Sequence, residues 1–187
     1  MKTDMLSESE IISGCLSQDK KAQKMLYKKY ASSMFGICLR YCKKKAEAED
    51  VLQEAFIKIF MSIKSYRSDG SFEGWLKRIV VNTALNYYKS NLKRCFDESI
   101  DEMNDSNMPS TNVSESDLSM QDLMKMINAL ADGYRVVFNM YAIEGYSHKE
   151  IGEMLNISEN TSKSQLSRAR VILQNKILEF RKMFINN

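Results

Sequence analysis

Thr161, Ser164, Gln165 and Arg168 are spaced so that their side chains point outward near the amino-terminal half of one helix. Hydroxyl, amide and guanidinium groups in that arrangement hydrogen-bond to base edges, and arginine on guanine is the commonest specific pairing, which makes Arg168 the main candidate. Lys163, Ser167 and Arg170 flank them and suit phosphates. Covalent chemistry has no comparable support. The chain has one histidine, His148, in the first turn of a helix, where it is expected to face solvent. No glycine-rich phosphate loop and no nucleophile–base–acid set accompanies it. The residues offer recognition, and the chain is read as not an enzyme.

A second set lies upstream. Arg78, Asn82, Asn86, Lys89 and Lys93 share one helix face, with Leu76, Val80, Ala84 and Tyr87 on the other side. Cations attract phosphates regardless of sequence, and asparagine amides can both donate and accept towards bases. Tyr66, Phe72 and Trp75 nearby could stack on an unstacked base. Each aromatic alone reads as core; grouped beside amides and lysines they read as nucleic-acid contacts.

A third face suggests a protein partner. Between Ala46 and Ile63, Leu52, Phe56, Ile59 and Ile63 form an inward stripe, and Asp50, Gln53, Glu54, Ile57 and Met61 lie nearly opposite. A merely solvated face has no need of Ile57 and Met61 beside the acids.

Helices must carry all of this. Ser7-x-x-Glu10 is a capping box, a helix is expected from about Lys20 to Lys43, and Ser65 to Ser71 is a turn cluster. Residues 97–119 are rich in Asp, Glu, Ser and Asn, contain the single proline, and read as a flexible acidic linker. Helical periodicity resumes at Met120. Ser147-x-x-Glu150 caps a short helix with Ile151 and Leu155 inward, a tight turn follows at Asn156 to Ser158, and Ser158 is the N-cap of the next helix. Leu166, Ala169, Leu173, Ile177 and Phe180 are that helix's inward stripe. The layout is a helix-turn-helix, which places a helix in the DNA major groove. The expected fold is all-α: two small helical domains, 1–96 and 120–187, joined by the linker.

Composition sets the remaining bounds. The 187 residues are 44% apolar with a net charge of +3, so the placement of charge matters more than its sum. No signal-like apolar core or membrane-length run is present, so a cytoplasmic chain without membrane insertion is expected. Cys15, Cys38, Cys42 and Cys95 form no CxxC pair, and one histidine leaves a zinc site short of ligands. They read as free thiols, with no metal and no cofactor expected.

Three segments, in order, resemble a bacterial sigma factor of the extracytoplasmic-function (group four) type. They are Ala48-Glu-Asp-Val-Leu-Gln-Glu-Ala-Phe56, the run Phe72-Glu-Gly-Trp-Leu-Lys-Arg-Ile-Val-Val-Asn-Thr-Ala-Leu-Asn-Tyr87, and Tyr146-Ser-His-Lys-Glu-Ile-Gly-Glu-Met-Leu155 leading to Lys163-Ser-Gln-Leu-Ser-Arg-Ala-Arg170. The resemblance implies that Asp50, Gln53 and Glu54 dock on the clamp helices of core RNA polymerase. It implies that the Asn82 helix, with the Tyr66 to Ser71 loop, opens the −10 element and captures a flipped base. It gives promoter −35 DNA to the carboxy-terminal domain, and an anti-sigma factor as a further partner. This chain departs from the pattern at Asn160-Thr-Ser-Lys-Ser164, where the family usually has Gly-Thr-Val-Lys-Ser. Ser162 thus falls on a stripe that wants an apolar side chain, and Asn160 puts the helix start in question. Leu130-Ala131 replaces a common Leu-Pro. The alternatives are a stand-alone helix-turn-helix regulator and a thiol or metal sensor using Cys38 and Cys42.

Overall fold

The computed structural model describes residues 6–97 and 119–185, with side chains over 6–91 and 119–182. Every regular element among them is helical, as expected, and they fall into two compact units, Met1–Asn91 and Leu92–Asn187.

In the first unit, α1 spans Glu8–Leu16 and opens with the expected capping box. Ser7 Oγ accepts from the Glu10 amide at 3.3 Å while the Glu10 carboxylate accepts from the Ser7 amide at 2.7 Å. Asp19 then caps α2, Lys20–Tyr41, by accepting from Lys21 N–H. The two helices touch at Gly14, where a Cβ would fall 2.5 Å from that of Ala22. Beside this contact the Tyr30 hydroxyl donates to Glu8, and Lys29 Nζ lies 3.4 Å from the same carboxylate.

Helix α3, Lys45–Ser62, packs on α2. Its predicted stripe of Leu52, Phe56, Ile59 and Ile63 is buried throughout. Sinking a side chain of this size stabilises by about 1.5–3 kcal/mol, so the stripe holds the helix and its outer face in place. A single 3₁₀ turn, Ile63–Ser65, leads through residues 66–71 into α4, Phe72–Asp97. Leu76, Val80 and Ala84 are buried and Tyr87 is half-buried. Cys15, Cys38 and Cys42 are buried free thiols. The Cys95 side chain lies outside the described residues. The predicted linker also lies outside them, apart from Asp97 at the end of α4 and Ser119, which caps α5.

The second unit comprises α5 (Met120–Asn128), α6 (Asp132–Phe138), α7 (His148–Leu155) and α8 (Glu159–Ile185). Ile127, Leu130, Ala169 and Leu173 form a core cluster, with Leu123, Tyr134 and Phe138 packed against it. Between α6 and α7 the residues Asn139–Ile143 form a π turn, in which the Glu144 amide bonds to the Asn139 carbonyl at 3.0 Å. The periodicity of Val136, Val137, Met140 and Tyr141 gave no sign of it, because one wide turn hardly disturbs apolar spacing. Ala131 takes φ −56 and ψ 143 at the N-cap of α6, with no side-chain cap.

Candidate nucleic-acid interface

The outer face of α3 is as the sequence predicted. Asp50, Gln53 and Glu54 are exposed, and Ile57 and Met61 beside them are 59% and 79% exposed. Glu54 pairs with Lys58 at 2.6 Å on the surface, a contact of little energetic weight. Two apolar side chains this open, on a helix whose inner stripe is already filled, leave apolar area for another molecule to cover.

The turn before α4 is built by its own polar groups. Tyr66 Oη donates to the Gly70 carbonyl at 2.8 Å, and Ser68 stands in left-handed backbone at φ 60. Ser71 Oγ accepts from Gly74 N–H, and the Ser71 carbonyl accepts from Trp75 N–H, which starts the helix. Phe72 and Trp75 stack 5.7 Å apart at 18°, with Tyr66 5.0 Å and 5.6 Å from their rings. Phe72 is 1% exposed, so it is the floor of this group and cannot itself face a base. Tyr66 and Trp75, both half-buried, line an open cavity of about 400 Å³ with Arg67, Asp69, Ser71 and Arg78. Arg78 on its rim also begins the predicted polar line, in which Asn82, Asn86 and Lys89 are all exposed. The Lys93 side chain lies outside the described residues. The turn and the helix it opens thus carry an aromatic-walled cavity and a row of phosphate- and base-seeking groups.

The helix-turn-helix is assembled from three local devices. Ser147 and Glu150 close the predicted capping box at 3.3 Å and 2.8 Å. Asn156 ends α7 in left-handed backbone, φ 57 and ψ 46, and the Ile157 amide turns back to the Gly152 carbonyl at 3.0 Å. The approach is so close that a Cβ on Gly152 would lie 2.8 Å from the Ile157 carbonyl oxygen. Ser158 then accepts from Thr161 N–H at 2.9 Å, and α8 starts at Glu159, so Asn160 does not move the helix start.

On α8, Thr161, Lys163, Ser164, Ser167, Arg168 and Arg170 are exposed. The Thr161 hydroxyl is bonded to the Ser158 cap at 2.8 Å, and Arg168 reaches the Tyr134 hydroxyl at 3.5 Å. Lys163 is paired with Glu159 at 2.7 Å, and that bond lowers the Glu159 carboxyl below its ordinary range. Gln165 does not point outward as expected. It is half-buried, its amide within 3.4 Å of where a Cβ on Gly133 would stand. At 100° per residue Gln165 falls nearer the inward stripe than the Ser164–Ser167 centre of the outer face.

His148 is a second correction. It is half-buried rather than exposed, its ring stacked on Tyr141 at 4.4 Å and 20°, with Nδ1 2.9 Å from Ser162 Oγ. Ser162 is fully buried on the inward stripe, and its hydroxyl is satisfied by this ring nitrogen. Nothing local in the sequence points to this contact, since its partners are fourteen residues apart on different helices.

Among the described residues no helix is long and apolar enough to cross a membrane. Burial pushes the Cys38 thiol up to about 12, which keeps it protonated and unreactive.

Comparison with known proteins matches residues 26–94 to Sigma-70 region 2 and residues 120–173 to Sigma-70 region 4. The chain is 29% identical over 185 residues to the ECF RNA polymerase sigma-E factor of Haemophilus influenzae, spanning 93% of this chain and 97% of that protein. It is 28% identical over 185 residues to the factor of the same name from Escherichia coli K12, spanning 94% and 96%. Among solved structures, the sigma factor RpoE of Bartonella quintana, crystallised with the anti-sigma factor NepR, shares the fold with a TM-score of 0.53 at 22% identity. That match covers 81% of this chain and 94% of RpoE.

Proposed function

The chain belongs to the sigma-70 family, in its extracytoplasmic-function group, and from that premise we propose how its residues divide the work of promoter recognition. It binds core RNA polymerase and directs promoter-specific initiation of transcription. Residues 1–96 form the polymerase-binding and −10 domain, 97–119 the tether, and 120–187 the −35 domain. Asp50, Gln53, Glu54, Ile57 and Met61 form the polymerase dock. Its acids meet basic groups, and Ile57 and Met61 supply the apolar contact that anchors an interface.

Tyr66 and Trp75 receive a base extruded from the −10 element, with Arg78, Asn82, Asn86, Lys89 and Lys93 following the strand. Seating a flipped base offsets its unstacking, a few kcal/mol, and helps nucleate the bubble. Arg168 reads a base in the −35 element, with Thr161 and Ser164 around it. Lys163, Ser167 and Arg170 hold phosphates. The factor makes and breaks no covalent bond; it acts by positioning, beside the polymerase in the cytoplasm. An anti-sigma factor is its proposed restraining partner.

The observation that carries this reading is the aromatic-walled cavity at the start of the helix that bears the polar line from Arg78 to Lys89, in a chain that also holds a helix-turn-helix. A stand-alone regulator has no use for the exposed acidic and apolar face of α3. Run-off transcription with purified core polymerase on a genomic fragment library tests it. Defined start sites should appear only when the factor is present. Unselective transcripts, or tight promoter binding by the protein alone, would refute the reading.

A further inference from the structure

The inward stripe of α8 contains one polar residue, Ser162, at 0% exposure. A hydroxyl buried among apolar groups is tolerated when it is hydrogen-bonded. Here the bond comes from His148, the first residue of α7, so it ties the start of one helix to the first turn of the next. The same ring lies flat against Tyr141 at 4.4 Å. Tyr141 belongs to the π turn, and its ring also faces the Arg170 guanidinium, whose carbon is 5.7 Å from the ring centre. The contacts run Ser162, His148, Tyr141, Arg170, beginning and ending on α8.

We propose that His148 is a positioning residue for promoter binding: through Ser162 it fixes the recognition helix, and through Tyr141 it holds Arg170 where a backbone phosphate lies. The inference rests on the assignment of Arg170 to a phosphate above and adds the device that aims it. An arginine side chain has many rotamers, and an aromatic face beneath the guanidinium narrows them before DNA arrives. The imidazole can serve Ser162 in either tautomer or when protonated, so the tie does not depend on one charge state.

The test uses holoenzyme assembled from full-length factor and core polymerase, with promoter affinity measured against salt concentration. Arg170→Ala should lower the log–log salt slope by about 0.9, the share of one phosphate contact. His148→Ala and Tyr141→Leu should each lower it by a similar amount. His148→Ala combined with Arg170→Ala should lower the slope no further than Arg170→Ala alone. His148→Asn keeps a polar group for Ser162 but loses the ring. It should restore the thermal stability that His148→Ala loses and leave the slope low. A merely structural histidine would change stability and leave the slope at the wild-type value, and that result in His148→Asn overturns the proposal. A slope that falls further in the double variant than in Arg170→Ala overturns it as well. An unchanged slope in Arg170→Ala alone would instead refute the phosphate assignment itself.

Discussion

The angle between α7 and α8 is set at one residue. Asn156 adopts φ 57 and ψ 46, and the Ile157 amide can reach the Gly152 carbonyl only from that conformation. Left-handed backbone costs an ordinary L-residue about 1–2 kcal/mol, whereas glycine adopts it without penalty. Asparagine lies between, because its short polar side chain bonds locally. Asn156→Gly should therefore hold the turn at least as well as the native residue, and Asn156→Ala should loosen it. The unfolded glycine chain is more mobile, which cancels about 0.4–1 kcal/mol of the difference. Roughly 1 kcal/mol then separates the two variants, about a fivefold change in the opening equilibrium. Hydrogen exchange at the Ile157 amide reads that opening directly. Protection should rank glycine first, asparagine second and alanine last, with amides of α2 unchanged as an internal reference. If the alanine variant were protected as well as the glycine variant, the turn would not depend on left-handed backbone and the argument would be wrong.

Replacing Ile57 and Met61 together by glutamate should weaken binding to purified core polymerase by about 2 kcal/mol or more, the usual size of an interface hot spot. Thermal unfolding should hardly change, because both side chains are exposed; unaltered pull-down with core would remove α3 as the dock. Asn82→Ala should keep polymerase binding but reduce permanganate reactivity of promoter thymines, and normal reactivity would contradict its role in opening the duplex. Glu8 is depressed from its ordinary 4.5, first by the Tyr30 hydroxyl and then by Lys29. A depressed carboxyl stabilises the fold above its unfolded value and loses that contribution as pH falls through the folded one. Glu8→Gln should therefore lower the melting temperature at pH 7, and the gap should close only as pH falls below 4.5 and through the depressed folded value; a gap that persists in strong acid would show that charge is not what holds α1 to α2.

What the sequence revealed depended on how local each cause was. The capping boxes at Ser7 and Ser147, the buried stripe from Leu52 to Ile63 and the cap at Ser158 are all set by residues within a turn or two of one another. Each was predicted and each is present. The misread residues are those whose neighbours come from another helix. Gln165 sits at the edge of its helix face, and its amide packs beside Gly133 of α6. His148 would be exposed on an isolated α7; Tyr141 from the π turn and Ser162 from α8 enclose it. Phe72 looked equivalent to Tyr66 and Trp75 in the chain, but its place at the start of α4 turns it into the core, where Tyr30 meets it edge-on at 5.9 Å.

The cations bear on why such a chain needs a polymerase. The α4 face offers Arg78 and Lys89 among its described side chains, and α8 offers Lys163, Arg168 and Arg170, of which Lys163 is already engaged with Glu159. The cations described on each grip can displace few counterions, so those contacts alone hold DNA weakly at physiological salt. A net charge of only +3 adds little long-range attraction. Strength must come from linkage. In the proposed arrangement, once the exposed face of α3 seats the factor on a machine that itself holds the duplex, the second promoter contact becomes intramolecular, and two weak sites act at a high effective concentration. Weak grips are then useful for selectivity: a promoter matching only one of them gains little. A factor with stronger grips would bind DNA without the polymerase and would be trapped at sites where no transcript can begin.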